Sequence, residues 1–303
     1  MKRFALLIVI IVCAFFTLWP TAHATDLLVG AKVWYAYWDP VLKDVGKEVP
    51  WMGWQHLEIG DGLLFGPSLG ILITDDISLS VAYLYGKMES QFDASYRAEE
   101  SDGSSTYDRF TVARNDITRQ DIDSALSFRI VSWLKIFAGF KYQTVDMTMK
   151  QASSRWLVTG TGEDGVERTK MDFDQLSYSP AIGLGFSFPL SELFAFTANV
   201  SVLYMMGEQD ISHRSEHYYA SDFDTPHYGK FDLSMDLEGY GINIDPAILL
   251  FLKDINLVLV LGFRYQYVKY DGTWDTPPEN LDDKIEDMSD ALYGVHFSVL
   301  YKL

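Results

Sequence analysis

His213-Arg214-Ser215-Glu216-His217 matches H-x-x-E-H, the spacing of one class of zinc peptidases. That chemistry needs both histidines on one helical face and the glutamate placed to activate a metal-bound water. The surroundings predict no helix. Tyr218-Tyr219 and Asp222-Phe223-Asp224 follow, and no apolar stripe of helical period runs through the segment. A polar loop is expected there, with His213, Glu216, His217 and His227 at most adventitious metal ligands. Gly160-Thr161-Gly162-Glu163-Asp164-Gly165 matches G-x-G-x-x-G, a phosphate cradle when a strand precedes it and a helix follows. Glu163 and Asp164 would repel that phosphate, so a hairpin tip is expected. Acidic runs at Glu99-Glu100-Ser101-Asp102, Glu163-Asp164, Asp222–Asp224 and Glu279–Asp290 offer oxygen ligands to Ca²⁺ or Mg²⁺. None has EF-hand spacing, and mutual repulsion between copies accounts for them. No cofactor is expected beyond such loop-bound ions. Cys13 is the one cysteine, and it lies in the N-terminal apolar run. Disulfides, thiolate metal sites and cysteine nucleophiles are thereby excluded from the rest of the chain.

The segments that would position such groups start with an export signal. Lys2 and Arg3 precede an apolar run from Phe4 to about Trp19, and Ala22-His23-Ala24 offers a small-x-small cleavage site. Residues 1–24 therefore read as a secretory signal peptide. Val12, before Cys13, is not the small residue that lipidation requires. The chain has 24 basic and 42 acidic residues, and loss of Lys2 and Arg3 raises the acidic excess from 18 to 20. Nucleic acid is excluded as a partner, because such a surface cannot neutralise phosphates. A hydrophobic content of 48% excludes disorder. Past residue 24 no uninterrupted apolar stretch approaches the 18 or so residues of a membrane helix.

The period of the remaining sequence is two. Leu176, Tyr178, Pro180, Ile182, Leu184, Phe186 and Phe188 alternate with Ser177, Ser179, Ala181, Gly183, Gly185 and Ser187. One wholly apolar face and one small, polar face suit a wall between lipid and a narrow interior. The same alternation recurs at 257–267, 293–303 and 29–37. Ten strands are predicted, near 27–38, 57–73, 77–88, 120–132, 135–148, 175–188, 193–206, 238–252, 255–269 and 290–303. Each reaches the ~9–11 residues that a tilted strand needs to cross a bilayer. Four short turns, at 74–76, 132–134, 189–192 and 253–254, alternate with five long polar loops, near 39–56, 89–119, 149–174, 207–237 and 270–289. Tyrosines gather beside the long loops, and Phe128, Trp133, Phe188, Phe194 and Tyr301 sit beside the short turns. Two such rings are the girdles of a lipid–water boundary. The phrases Gly66-Pro67-Ser68, Ser179-Pro180-Ala181 and Asp245-Pro246-Ala247 predict bulges, since proline cannot donate to a ladder.

Together the signal, the alternation, the girdles and the last strand Tyr293–Leu303 resemble the outer-membrane β-barrel proteins of diderm bacteria. The likeness is one of architecture, not of a diagnostic motif, and this chain ends in Leu303 where such barrels commonly end in an aromatic residue. The resemblance implies a closed, all-β, antiparallel up-and-down barrel over 25–303, with both termini periplasmic. It implies outer-membrane localisation, contact with membrane lipid and lipopolysaccharide, and delivery by the barrel-assembly machinery. Ten strands leave a narrow bore. Inward positions include Lys32, Glu58, Asp123, Arg129, Lys141, Asp245, Arg264 and His296. A selective pore shows rings of one sign. This mixture favours a paired plug in a structural or surface-recognition protein over a narrow porin-like channel for small solutes. Counting from Lys253-Asp254 puts Arg264 beside Asn243 and diagonal to Asp245. The enzyme alternative is an omptin-like rim endopeptidase, for which Glu208, Asp210, His213, Glu216 and His217, with Glu89 and Asp93, are the candidates. Barrels that modify lipid A would use a Ser–His pair, for which no diagnostic spacing exists here.

Overall fold

A strand with one lipid-facing side cannot leave its edge amides unpaired in hydrocarbon, so a membrane sheet must close on itself. A computed structural model shows that closure. It describes residues 26–48, 57–99, 105–160, 163–275 and 283–303. The proposed signal segment 1–24 lies outside them. Ten strands follow in chain order: β1 Asp26–Asp39, β2 Gly60–Leu72, β3 Ile77–Glu99, β4 Ser105–Val131, β5 Leu134–Gly160, β6 Gly165–Pro189, β7 Phe194–Tyr219, β8 Asp222–Leu252, β9 Leu257–Trp274 and β10 Lys284–Lys302. Each pairs antiparallel with its chain neighbour, and β1 pairs with β10 to complete the ring.

The outward residues of the first-predicted strand cores form an apolar belt. Leu63, Phe65, Leu126, Ile182, Val202, Leu261 and Val295 are all exposed, Ile182 at 66%. Water would penalise that surface by roughly 25 cal/mol per Å² of apolar area, whereas acyl chains do not. The tyrosines pack along its upper margin: Tyr37 stacks on Tyr293, and Tyr204 with Tyr240 and Tyr265 with Tyr293 meet at a tilt.

Three of the five predicted long loops are instead strand. β3 to β8 run on through 89–99, 105–119, 149–160, 165–174, 207–219 and 222–237. The connection from β7 to β8 is only Ala220-Ser221. Alternation persists there, but its polarity inverts. On β5, Ile136 and Ala138 face out while Lys141 and Gln143 face in; further along, Asp146 and Lys150 face out while Val145, Met147 and Met149 are buried within the bore. Lipid demands the first arrangement and water the second.

An apolar core fills the upper bore and runs into this extension, with buried polar residues such as Thr111, Gln151 and Ser215 beyond it. Trp34, Leu64, Leu84, Ile117, Phe173 and Leu237 belong to one buried cluster with seven of the chain's ten methionines. Unbranched thioethers suit the irregular gaps of a narrow cylinder. The 39–56 connection adds a helix, α1 (Leu42–Glu48), whose Val41, Leu42 and Val45 join that core. Burial pushes the Asp44 carboxyl up, but hydrogen bonds from Lys47 and Ser289 outweigh it and hold it below the usual range. Asp44 Oδ2 accepts from Ser289 N at 2.7 Å and Ser289 Oγ at 2.8 Å, which ties α1 to β10.

The three proline phrases make no bulge. Pairing of β2 with β3 stops after Phe65↔Tyr85 and resumes at Ser68↔Ala82 in unchanged register. The β6–β7 and β8–β9 ladders skip Ser179-Pro180 and Asp245-Pro246 in the same way. Each proline remains paired on its other side, Pro67 with Ala31, Pro180 with Phe140 and Pro246 with Ala198. Loss of one N–H donor is thus absorbed by one locally opened ladder, without an extra residue.

Candidate functional site

At mid-barrel the bore is crossed by charged side chains. β4 and β9 lie on opposite sides of the ten-strand ring. From β4, Asp123 reaches across to the Arg264 guanidinium on β9. Asp123 also accepts from Lys141 Nζ at 2.9 Å. Arg264 Nε lies 3.4 Å from Asp245, which is bonded in turn to His296 Nε2 at 2.8 Å. One layer on, Asp121 receives Arg119 Nε at 3.1 Å and Gln143 Nε2 at 3.1 Å, and lies 3.6 Å from Lys141. Gln266 Nε2 donates to Gln143 Oε1 at 3.3 Å, a second brace across the bore. Trp34 and Trp38 cover the network on the loop side, 5.5 Å from Arg264 and 5.9 Å from Arg119. Such burial is tolerable because each carboxylate meets a cation.

Gly262 makes room for one of these contacts. A Cβ there would sit 2.4 Å from His296 Nε2. Any larger residue would push the imidazole off Asp245.

Asp123, Lys141, Asp245, Arg264 and His296, all expected inside, therefore form one cluster with Asp121, Arg119 and Gln143. Lys32 faces the same space. Arg264 sits opposite Asp245 rather than Asn243, because Asn243 pairs with Gln266. The turn is longer than Lys253-Asp254: a 3₁₀ turn over Lys253–Ile255 ends in Asn256 at φ 53°, and this moves the register by two. Glu58 is not in the lumen. It precedes β2 and is exposed. Arg129 has the inward parity but is exposed at the turn end, lining a shallow recess with Asp76 and Lys135. The trans-bore partner of Arg264 is what sequence reasoning missed, for alternation gives a residue's face but not which residue stands opposite.

Below the braces, toward the turns, lies a cavity of about 390 Å³. Serines, Asn199, Asn243, Lys32 and Lys135 line it, with Asp123, Asp245 and Arg264 as its roof.

The H-x-x-E-H segment is strand, not loop or helix. His213 and His217 point inward, and Glu216 points outward to accept from Tyr218 Oη at 3.2 Å. A zinc peptidase needs all three converging, so this geometry does not supply one. His213 stacks on Phe231 with ring centroids 4.4 Å apart, and burial drives its imidazole down to about 4. Asp210 and Glu208 lie on the outer face, where Asp210 accepts from Ser234 Oγ at 2.7 Å. Glu89 faces outward as well, paired to Arg114 at 3.5 Å. The omptin-like constellation is therefore not assembled.

Folding does bring Ser215 Oγ within 3.0 Å of His217 Nε2, and Glu167 lies 3.7 Å from the same nitrogen. A catalytic triad uses both ring nitrogens, one for the nucleophile and one for the acid. Here His217 Nδ1 is buried without a partner. Glu167 is also engaged by Arg109 at 3.4 Å and Thr169 at 3.2 Å. The cluster reads as polar packing at the far end of the bore. Among the described residues no group of three or more histidines, cysteines or carboxylates is arranged to hold a metal ion.

The outer surface of the extension carries one further pattern. Arg114, Lys150, Lys170, Arg214 and Lys230 stand side by side on β4 to β8 in direct register. All five are exposed.

The chain is similar to outer-membrane β-barrel proteins. The outer membrane protease OmpT from Escherichia coli matches with a TM-score of 0.48 and 11% identity, over 93% of this chain and 98% of that one. The P. putida toluene transporter TodX matches with a TM-score of 0.36 and 10% identity, over 91% and 89%. The CymD monoaromatic hydrocarbon channel gives 0.33 and 7%, over 92% and 88%. No protein-family model matches the sequence. No curated protein matches it.

Proposed function

We propose that the protein is a non-conducting outer-membrane barrel, exported by its 1–24 segment, that stands as a filled post at the cell surface. The observation that carries this reading is the apolar cluster that fills the bore above the ion-paired layer, from Trp34 and Leu84 through Met147 and Phe173 to Leu237, with Asn115 and Gln209 enclosed beside it. An apolar, close-packed bore admits neither ions nor their hydration water. The turn end faces the periplasm and the extended end faces outward, as short turns and long excursions do in such barrels. Barrel-assembly machinery would deliver it, and membrane lipid would surround its belt.

Lipopolysaccharide is the surface partner that the row of five cations supports. The row lies about eight residues beyond Tyr142 and Tyr178 along β5 and β6, or roughly 20 Å after strand tilt. That is the height of the anionic saccharide layer. Glutamine at Lys150, Lys170 and Arg214 should lower the amount of co-purifying lipopolysaccharide.

The test of the main reading is planar-bilayer recording on folded protein. No stepwise conductance is expected. Reproducible steps from a folded, single species would overturn it.

A further inference from the structure

The turn-side cavity is cationic although the chain as a whole is strongly acidic. Its wall carries Lys32, Lys135, Lys141 and Arg264 against Asp123 and Asp245. Lys141 and Arg264 are matched by those two acids. Lys32 and Lys135 are not: among the described residues neither has a carboxylate within the 4.0 Å of an ion pair. Lysine side chains left without counter-charge in a low-dielectric bore are costly. Here both project into a space of about 390 Å³, large enough for several waters or a small solute.

We propose that this cavity is a binding site for a small oxyanion, a phosphate or a short carboxylate, entering from the periplasmic side. Lys32 and Lys135 supply the charge. Inward wall hydroxyls from Ser68, Ser201 and Ser298 supply hydrogen bonds. Gly185 lets Lys135 lie flat against the wall: a Cβ there would fall 2.2 Å from Lys135 Cε and 2.7 Å from Asn199 Oδ1. The braces above stop the solute from crossing, so the site captures rather than conducts. This inference rests on the closed-bore reading and adds a ligand class to it.

The experiment is calorimetric titration of the full, folded protein with inorganic phosphate and, separately, with succinate, at constant ionic strength in chloride. Saturable one-site binding of at least one anion is expected. Lys32→Met combined with Lys135→Met should weaken it at least ten-fold. These variants remove unmatched charge, so they should fold at least as well as the parent, which unheated gel mobility reports. Ser201→Leu, which fills the cavity and keeps both lysines, should also abolish binding, while Lys253→Met on the exposed turn should leave it unchanged. Absence of saturable binding by both anions, or binding unaltered in the double lysine variant, would overturn the inference. Bilayer recording on the same preparation separates the two claims. Conductance would refute the closed bore, whereas silence in both assays would refute only the anion site.

Discussion

Asp123→Asn is the most informative single change. The carboxylate is shared by Lys141 and Arg264, and its removal leaves two cations in the bore. Breaking a buried pair from one side costs roughly 3–5 kcal/mol. Both orphans keep a longer contact, Lys141 with Asp121 at 3.6 Å and Arg264 with Asp245 at 3.4 Å, which sets the loss near the lower bound, about 3 kcal/mol. Arg264→Met leaves Asp123 with Lys141 and Asp245 with His296, so it should cost less, about 2 kcal/mol. The double variant should cost well under the sum, with a coupling of about 1.5 kcal/mol. Urea unfolding in lipid vesicles, followed by tryptophan fluorescence and by the mobility of unheated samples, measures all four states. Additivity within about 0.3 kcal/mol, or a loss under about 1 kcal/mol for Asp123→Asn alone, would refute a brace across the bore.

Further outcomes follow from the wall and its attachments. Ile182→Arg, in the lipid-facing belt, should cost about 2–4 kcal/mol, whereas Ser212→Arg on the outer face of the extension should cost nearly nothing in the same unfolding assay. His213 has a folded pKa near 4 against an ordinary 6.5, so the unfolded chain takes up the proton first. Its contribution is complete above pH 6.5 and erodes as pH falls toward 4, by about 3 kcal/mol at most, and His213→Phe should flatten that stretch of the stability–pH curve. Ser289→Ala removes one of the two Ser289 bonds to Asp44 and should speed proteolytic nicking in the connection that carries α1. Gly262→Ala should displace His296 from Asp245 and lower stability by about 1–3 kcal/mol, read from urea midpoints.

Much of this architecture was legible because lipid imposes a rule on every second residue. Leu176–Phe188 and Leu257–Tyr267 declare their outer faces without reference to any other strand, and ten such segments require closure. The loop-side extension was hidden by the same rule. Past the membrane the apolar residues move inside, so 145–149 and 235–237 read as polar loop to a search for greasy outer faces. Register failed at Arg264 because a 3₁₀ turn with a left-handed Asn256 consumes two more residues than Lys253-Asp254 suggests. The span from Arg264 to Asp123 is set by strand number and tilt, and no local pattern encodes it. Glu58 has the right parity but falls short of the strand, so parity alone misplaced it. The histidines of 213–217 showed the converse error: a spacing suited to a helix has no convergent geometry on a strand, where successive residues point to opposite faces.

The central claim is a bore sealed on the outer side and open only beneath the braces. Single cysteines test it directly, since the chain past Cys13 contains no other thiol. Ser201→Cys in the cavity, Met149→Cys in the apolar core and Ser212→Cys on the outer surface should be treated with a membrane-impermeant maleimide, first on intact cells and then on cells with a permeabilised outer membrane. The expected pattern is labelling of Ser212→Cys in both, of Ser201→Cys only after permeabilisation, and of Met149→Cys in neither. Labelling of Ser201→Cys or Met149→Cys from the outside of intact cells would contradict the account.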